Sequence, residues 1–316
     1  MGTDNSLKNR MWGRRIKAPA CGGAIFAIAT VMALAVLPAA GAQEEPSSLT
    51  IGLIPEMNVF EQADRFRLLA EFLSQRIGQP VELSMLSRYG NIVERIAGKE
   101  IDAAFLGSFT GALASAQLGM EPVARPINLD GSSTYWGYLF VRRDSGIETV
   151  EQMRGRRLAL VERATTAGYI FPVAHFRGQG VEDLGEFFGE VQFWGSHDAS
   201  INAVLDGRAD IGAAKNTIWE LVDSETSRLT SELRILATSP KVPSNGLFIS
   251  PEVDPAIRAT IQSTLLTLHQ QPAGAEVLEK LRARGFVPTD IESYQQVFDL
   301  ARAAGIDLNS YTYLNQ

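Results

Sequence analysis

Cysteine is almost absent from this chain, since Cys21 is the single thiol in 316 residues. It lies in an N-terminal segment that we expect to be removed, which leaves a mature protein without thiols. This absence excludes disulfides, thiolate metal sites and cysteine nucleophiles. Histidine is also scarce, with three residues, and no three candidate ligands have the spacing of a metal site. We therefore expect no metal and no cofactor.

A long apolar run stands at the N-terminus, behind a basic segment. Residues 22–37 are apolar and lead to the small-residue sequence Ala40-Gly41-Ala42. The basic segment contains Lys8, Arg10, Arg14, Arg15 and Lys17 against a single acidic residue, Asp4. This order is typical of a secretory signal peptide, which we assign to residues 1–42. The alternative is a retained membrane anchor, because residues 21–42 are nearly long enough to span a bilayer.

Positive charge is scarce in the rest of the chain. The formal net charge is −7, and the leader holds five basic residues and one acidic residue, so the mature chain carries −11. That charge argues against nucleic acid or an anionic membrane surface as a partner. If such a protein binds an anion, it must do so by local geometry.

Apolar runs and amphipathic stretches alternate along the mature chain, which predicts an α/β fold. A first series covers 49–54, 64–77, 81–86, 89–97, 102–106 and 109–117, and a second extends from about 142 to 240. The chain then returns with a strand at 246–249 and helices at 255–268, 273–284 and 293–303. We expect two lobes, 43–140 with 244–316 and 141–243, hinged at crossings near 138–142 and 240–246.

Two loops follow predicted strands and precede predicted helices, Thr165-Thr166-Ala167-Gly168 and Gly195-Ser196-His197-Asp198. Hydroxyls and free backbone N–H groups at a helix N-terminus favour phosphate-like or carboxylate-like ligands. The alternative for each loop is an ordinary helix cap that satisfies its own donors. Since ligands of open α/β sheets lie at the carboxyl ends of the strands, both loops are expected to face the cleft.

Several phrases resemble one protein family in its order and spacing. They are Ile51-Gly52-Leu53-Ile54-Pro55, Arg88-Tyr89, residues 98–107, residues 141–147, residues 153–159, the Thr-Thr-Ala-Gly loop and Ser196-His197-Asp198-Ala199. On these phrases the chain resembles the phosphonate/phosphite/phosphate-binding family of ABC-transporter substrate-binding proteins. The resemblance implies a two-lobed periplasmic-binding-protein-like (type II) fold, with a mixed, mostly parallel sheet flanked by helices in each lobe and the ligand cleft between them.

The resemblance also implies a set of ligand-binding residues. They are Tyr89, Ser108, Tyr135, Thr165, Thr166, Ala167, His197 and Asn245. Ala167 stands where the family's loop has a serine, so one hydroxyl is missing. Relatives that bind aminoalkylphosphonates place carboxylates where this chain has Thr217, or its neighbours, and Asn245. We therefore expect a small phosphorus oxyanion without an ammonium group, although the sequence leaves a sulfonate or another oxyanion open.

The implied function is that of a monomeric periplasmic solute-binding protein that presents its ligand to the permease of an ABC transporter. The alternative is a periplasmic sensing protein that signals to a membrane receptor histidine kinase, because one fold serves both roles. An enzyme is not expected. His197 with Asp198 suggests a catalytic pair, but no nucleophile elbow accompanies it, and Asp198 serves equally well as a helix cap.

Overall fold

Thirteen strands and eleven α-helices are found in the computed structural model, which describes residues 48–56, 58–85 and 91–312. The strands are β1 (Leu49–Leu53), β2 (Val81–Met85), β3 (Ala103–Leu106), β4 (Glu121–Asn128), β5 (Thr134–Tyr135), β6 (Gly137–Arg142), β7 (Arg157–Leu160), β8 (Glu190–Phe193), β9 (Ile211–Lys215), β10 (Leu233–Thr238), β11 (Val242–Pro243), β12 (Gly246–Ile249) and β13 (Ala283–Pro288). The helices are α1 (Val59–Ile77), α2 (Asn91–Ala97), α3 (Ser108–Leu118), α4 (Phe171–Gly178), α5 (Leu184–Phe187), α6 (His197–Leu205), α7 (Asn216–Thr226), α8 (Leu229–Glu232), α9 (Pro255–Thr267), α10 (Gly274–Leu281) and α11 (Gln295–Ala303).

The strands form two main sheets, each flanked by helices, and a short ribbon. The first sheet has the order β13-β4-β12-β3-β1-β2, the second has the order β10-β6-β9-β7-β8, and β5 pairs with β11. The sequence predicted a returning strand at 246–249, and the structure places this strand, β12, in the first sheet between β3 and β4. Each sheet with its helices makes one lobe of the fold.

The sheets are less parallel than the sequence predicted. Parallel pairs join β1 to β2 and β3, and β7 to β8 and β9. The other pairs of the two sheets are antiparallel, and they involve β4, β6, β10, β12 and β13. The parallel strands therefore form one side of each sheet, and these strands carry the loops that the sequence analysis singled out.

Helix α1 shows how local chemistry sets the element boundaries. The Asn58 side chain accepts a hydrogen bond from the backbone N–H of Phe60, which caps the helix. The helix ends at Gly78, whose φ of 75° is the left-handed conformation that glycine adopts without steric cost. The helix thus begins before residue 64, where the amphipathic pattern placed its start.

Two elements of the first sheet depart from the sequence pattern. The apolar periodicity predicted a helix through residue 284, but α10 ends at Leu281 and Arg282 adopts a φ of 54°, which turns the chain into β13. Strand β4 contains Pro122 and Pro126, which ordinarily argue against an interior strand. The ladder to β12 shifts its register between Leu247 and Phe248.

A buried apolar cluster joins the two lobes behind the cleft. It contains Phe109 and Ala112 of α3, Ala167 and Ile170 of the Thr-Thr loop, and side chains of α11 such as Val297. Helix α11 packs against both α3 and α4. No helix among the described residues is long and apolar enough to cross a membrane.

Candidate functional site

The site lies at the carboxyl ends of the parallel strands, where the two lobes meet. A small cavity of about 10 Å³ is lined by Ile54, Glu56, Gly107, Thr110, Tyr135, Ala164, Thr165, Thr166, Ala167, His197, Lys215 and Asn245. Glu56 follows β1, Thr165 follows β7, and His197 follows β8. The meeting of short loops at one edge therefore brings together residues that are up to 191 positions apart, from Ile54 to Asn245.

An ion pair between the lobes occupies the centre of the site. The Lys215 Nζ lies 2.7 Å from Glu56 Oε1, and the two side chains are only 8% and 11% exposed. The same ammonium donates to Asn245 Oδ1 at 3.0 Å. It also lies 4.4 Å from the centre of the Tyr135 ring, within the range of a cation–π contact. The ammonium is thus enclosed by a carboxylate, an amide oxygen and an aromatic face.

The ion pair keeps Glu56 ionised. Burial would raise the pKa of the Glu56 carboxyl, but the charge and the hydrogen bond of Lys215 outweigh it, and the pKa lies below its ordinary value. The charge of Arg65 lowers it further. The site therefore carries a buried, compensated pair of charges.

The Thr-Thr loop connects the second lobe to the first. The backbone N–H of Phe109, near the start of α3, donates to Thr166 Oγ1 at 2.9 Å. Thr110 Oγ1 donates to the carbonyl of Ala164 at 2.9 Å. A π-helical turn, Thr166–Ile170, opens the helix that continues as α4, and its first N–H groups have no partner within the helix. A side chain on Gly168 would meet Val161 at 2.4 Å, so only glycine lets the turn pack so closely.

Tyr135 and Ser108 form a buried hydroxyl pair. Their oxygens are 2.8 Å apart, and Ser108 Oγ donates to the carbonyl of Pro243 at 2.7 Å. Because Ser108 has one hydroxyl proton and a carbonyl can only accept, the Tyr135 hydroxyl donates to Ser108. Burial raises the pKa of Tyr135, so its hydroxyl keeps its proton. Ser108 itself does not line the cavity but orients Tyr135.

His197 is a neutral imidazole of defined tautomer. The backbone N–H of Lys215 donates to His197 Nδ1 at 3.2 Å, so the proton of the neutral ring lies on Nε2. Burial lowers the pKa of His197 to about 3, against a partial opposing effect of Glu56. The geometry therefore favours a neutral ring whose proton lies on Nε2. The preceding Ser196 caps α6 by accepting from Ala199 N, so this residue behaves as an ordinary cap.

A second, larger cavity of about 140 Å³ adjoins the first. Both are lined by Ile54, Glu56, Lys215 and Asn245. The walls of the larger one include Phe66, Phe105, Phe286, Leu221 and Thr217. The Lys215–Glu56 pair therefore stands where the two cavities meet.

The structure brings most of the sequence-predicted residues together. Six of them, Tyr135, Thr165, Thr166, Ala167, His197 and Asn245, line the small cavity, and Ser108 lies directly behind Tyr135. Tyr89 lies outside the described residues, so its position stays a prediction. Sequence reasoning missed Glu56 and Lys215. The signal for Lys215 was present, since it directly precedes helix α7 at the end of an apolar strand.

Comparison with known proteins identifies relatives. A family described as the periplasmic substrate-binding protein of phosphonate ABC transporters matches residues 51–294. A phosphate-import protein of Mycolicibacterium smegmatis is 27% identical over 182 residues, which cover 55% of this chain and 56% of that protein. The chain thus matches only about half the length of that relative. A probable phosphite-binding protein of Prochlorococcus marinus is 23% identical over 269 residues, covering 81% of this chain and 90% of the relative.

A solved structure has the same fold. The Prochlorococcus marinus protein in complex with methylphosphonate superimposes with a TM-score of 0.72 at 21% sequence identity. The superposition covers 82% of this chain and 99% of that one. At this identity the likeness establishes the two-lobed architecture.

Proposed function

This chain belongs to the family of periplasmic substrate-binding proteins of phosphonate ABC transporters, and from that premise we propose that it binds a small phosphorus oxyanion. The candidates are phosphate, phosphite and a simple phosphonate without an ammonium group. The observation that carries the proposal is the convergence of donors on one cavity: the helix N-terminus at Thr166, His197 and Lys215. Thr165 also lines the cavity, but its hydroxyl donates to the carbonyl of Glu162 at 2.7 Å. The names of the relatives, for phosphate import and phosphite binding, support the same ligand class.

The donors suit an oxyanion for two physical reasons. Neutral donors such as the hydroxyls and His197 Nε2–H are held by the surrounding contacts, so little reorganisation is needed on binding. The second reason is the Lys215 ammonium, whose positive charge attracts the anion. In a protein of net negative charge, that charge must act at short range.

Transport is favoured over sensing and catalysis. The chain is the binding component of an ABC transporter, whose partners are a small ligand and a membrane permease. No observation favours the receptor-kinase role, and a gene for a permease subunit beside this one would support transport. We also propose that the protein is a monomer without catalytic activity.

Export and lobe boundaries are part of the same proposal. A periplasmic location follows from the family, and we propose that residues 1–42 are the signal peptide that directs it. We propose lobe boundaries at 43–140 with 244–316 and at 141–243. The sheets support this division apart from one end. Strands β6 to β10 build the second sheet and β12 returns to the first, but β6 begins at Gly137, before the proposed boundary.

Calorimetry tests the ligand assignment. Residues 43–316 would be titrated with phosphate, phosphite, methylphosphonate, sulfate and 2-aminoethylphosphonate. We expect at least one of the first three to bind more tightly than the last two. If sulfate or 2-aminoethylphosphonate binds best, or none binds, the assignment is wrong.

Binding should involve opening and closing of the lobes. A cavity of about 10 Å³ has room for about one water molecule, which is less than any phosphorus oxyanion needs. We propose that the ligand enters an open form and that closure completes its contacts, with hinges near residues 138–142 and 240–246. Small-angle scattering with and without a ligand that demonstrably binds checks this. An identical scattering profile in both states would contradict closure.

A further inference from the structure

The surroundings of the Lys215 ammonium are those of a recognition site for an amine. Glu56 supplies a carboxylate at 2.7 Å, Asn245 an amide oxygen at 3.0 Å, and Tyr135 an aromatic face at 4.4 Å. A carboxylate, a neutral oxygen and an aromatic ring are the groups that bind an organic ammonium most effectively. The first two come from the first lobe and the lysine from β9 of the second.

We propose that Lys215 is a specificity-determining residue: its ammonium fills the place that the amine of an aminoalkylphosphonate would take. This inference rests on the proposed function and deepens it. The chain's own lysine satisfies Glu56, so a zwitterionic ligand finds its amine site taken. A ligand without an amine leaves the pair intact.

The same ammonium contributes to oxyanion binding. A lysine ammonium has three N–H groups, and its contacts with Glu56 and Asn245 use two of them. The third is available to an oxygen of the ligand. Lys215 therefore attracts the anion and excludes the amine at once.

The cavities show that removing the side chain would make room. Lys215 and Glu56 line both the small and the larger cavity. Replacing Lys215 by alanine would join the two spaces while leaving the carboxylate of Glu56 in place. The variant would then offer the ammonium of a ligand the contacts that the lysine had.

Two ligands of matched size provide the test, 2-aminoethylphosphonate and propylphosphonate, in which a methyl group replaces the ammonium. In the wild-type protein we expect propylphosphonate to bind at least tenfold more tightly. In Lys215→Ala we expect the preference to reverse, with 2-aminoethylphosphonate binding at least as tightly as propylphosphonate. Adding Glu56→Gln to that variant should abolish the gain. The matched control is Lys280→Ala, because Lys280 pairs with Asp64 at 2.9 Å on the surface; its preference should equal that of the wild type.

The outcomes separate this inference from the proposed function. If the wild type binds no phosphorus oxyanion, the proposed function fails. If it binds them but Lys215→Ala keeps the wild-type preference, the specificity role of Lys215 is wrong. Should Lys215→Ala not fold, the double variant Lys215→Met with Glu56→Gln removes both charges together. We expect it to fold and to bind methylphosphonate at least tenfold more weakly, and unchanged binding would overturn the proposal.

Discussion

The two walls of the site differ in what they offer a ligand. The first wall belongs to the first lobe and consists of Glu56 and Asn245, with Ser108 behind Tyr135. The second wall belongs to the second lobe and consists of Thr165, Thr166, His197 and Lys215. The first wall presents a carboxylate and two groups already engaged with the protein. The second presents a cation, a helix N-terminus and a neutral imidazole.

Because of this difference, we expect the second wall to bind the anion and the first wall to hold the two lobes together. An anion gains from the second wall, whereas the carboxylate of the first wall repels it unless Lys215 stays beside Glu56. The first wall therefore acts mainly by holding the lysine and by bringing the lobes together. Substitutions in the two walls should have unequal effects on affinity and on stability.

The largest effect is expected on stability, from Lys215→Met. This change leaves the Glu56 carboxylate buried without its counter-charge, which costs about 3–5 kcal/mol in the free energy of unfolding. Lys280→Met breaks the exposed pair with Asp64 and should lower the free energy of unfolding far less, because solvent screens an exposed pair. Urea denaturation at pH 7 measures both.

Acidification provides a second readout of the same variant. Without Lys215, burial is the dominant influence on Glu56 and raises its pKa. The deficit of Lys215→Met relative to the wild type should therefore shrink between pH 7 and pH 5, as the carboxyl takes up a proton. If Lys215→Met and Lys280→Met lowered the free energy of unfolding equally, the buried pair would contribute no more to stability than the exposed one.

The next largest effect is on ligand affinity, which a substitution in the second wall should lower more than one behind the first wall. His197→Ala removes a donor to a charged ligand, worth about 1.5–3 kcal/mol, so binding of the best ligand should weaken roughly tenfold to a hundredfold. Ser108→Ala removes a hydroxyl engaged with Pro243 and Tyr135 and should weaken binding less than tenfold. Calorimetry on both variants, with thermal melts as the control for folding, decides. A larger loss in Ser108→Ala would reverse the assignment of the walls.

The smallest effect concerns pH and tests the neutral state of His197. Its pKa falls from an ordinary value near 6.5 to about 3 on folding, so the unfolded chain binds a proton that the folded one does not. The resulting stability is complete above pH 6.5 and is lost as the pH falls toward 3. From pH 7 to 5.5 the wild type should lose about 1 kcal/mol more than His197→Gln. Parallel losses in urea denaturation would mean that His197 is protonated in the folded protein.

The site could be predicted from sequence where its residues have strong local signals. The residues Thr165, Thr166 and His197 stand between a strand and a helix, and the structure places them at one cavity. Glu56 and Lys215 were missed because a single charged residue beside a strand ordinarily lies in solvent. The position of Lys215 at the end of an apolar strand was a local signal, but its pairing with Glu56 joins residues 159 positions apart, and no local pattern reveals such a pair.

The fold shows the same limit. The alternation of strands and helices was predicted from the sequence, as was the returning strand at 246–249. The end of α10 was predicted wrongly, because the apolar pattern continues past Arg282 although the backbone turns there. Strand β4 was not predicted, because Pro122 and Pro126 ordinarily argue against an interior strand. The ladder between β4 and β12 contains a register shift, and such a shift cannot be read from the sequence.

Glu56, the buried partner of Lys215, also affects which dissolved anions can bind at the lysine. Glu56 is attached to the same molecule and lies 2.7 Å from the ammonium, so its effective concentration there exceeds that of any dissolved ion. Chloride and other singly charged anions at millimolar levels must compete with this tethered carboxylate. A ligand that shares the lysine with Glu56 must offer more negative charge, or more acceptor oxygens, than a single chloride does. We therefore expect the site to stay unoccupied in chloride solutions in which a multiply charged oxyanion still binds.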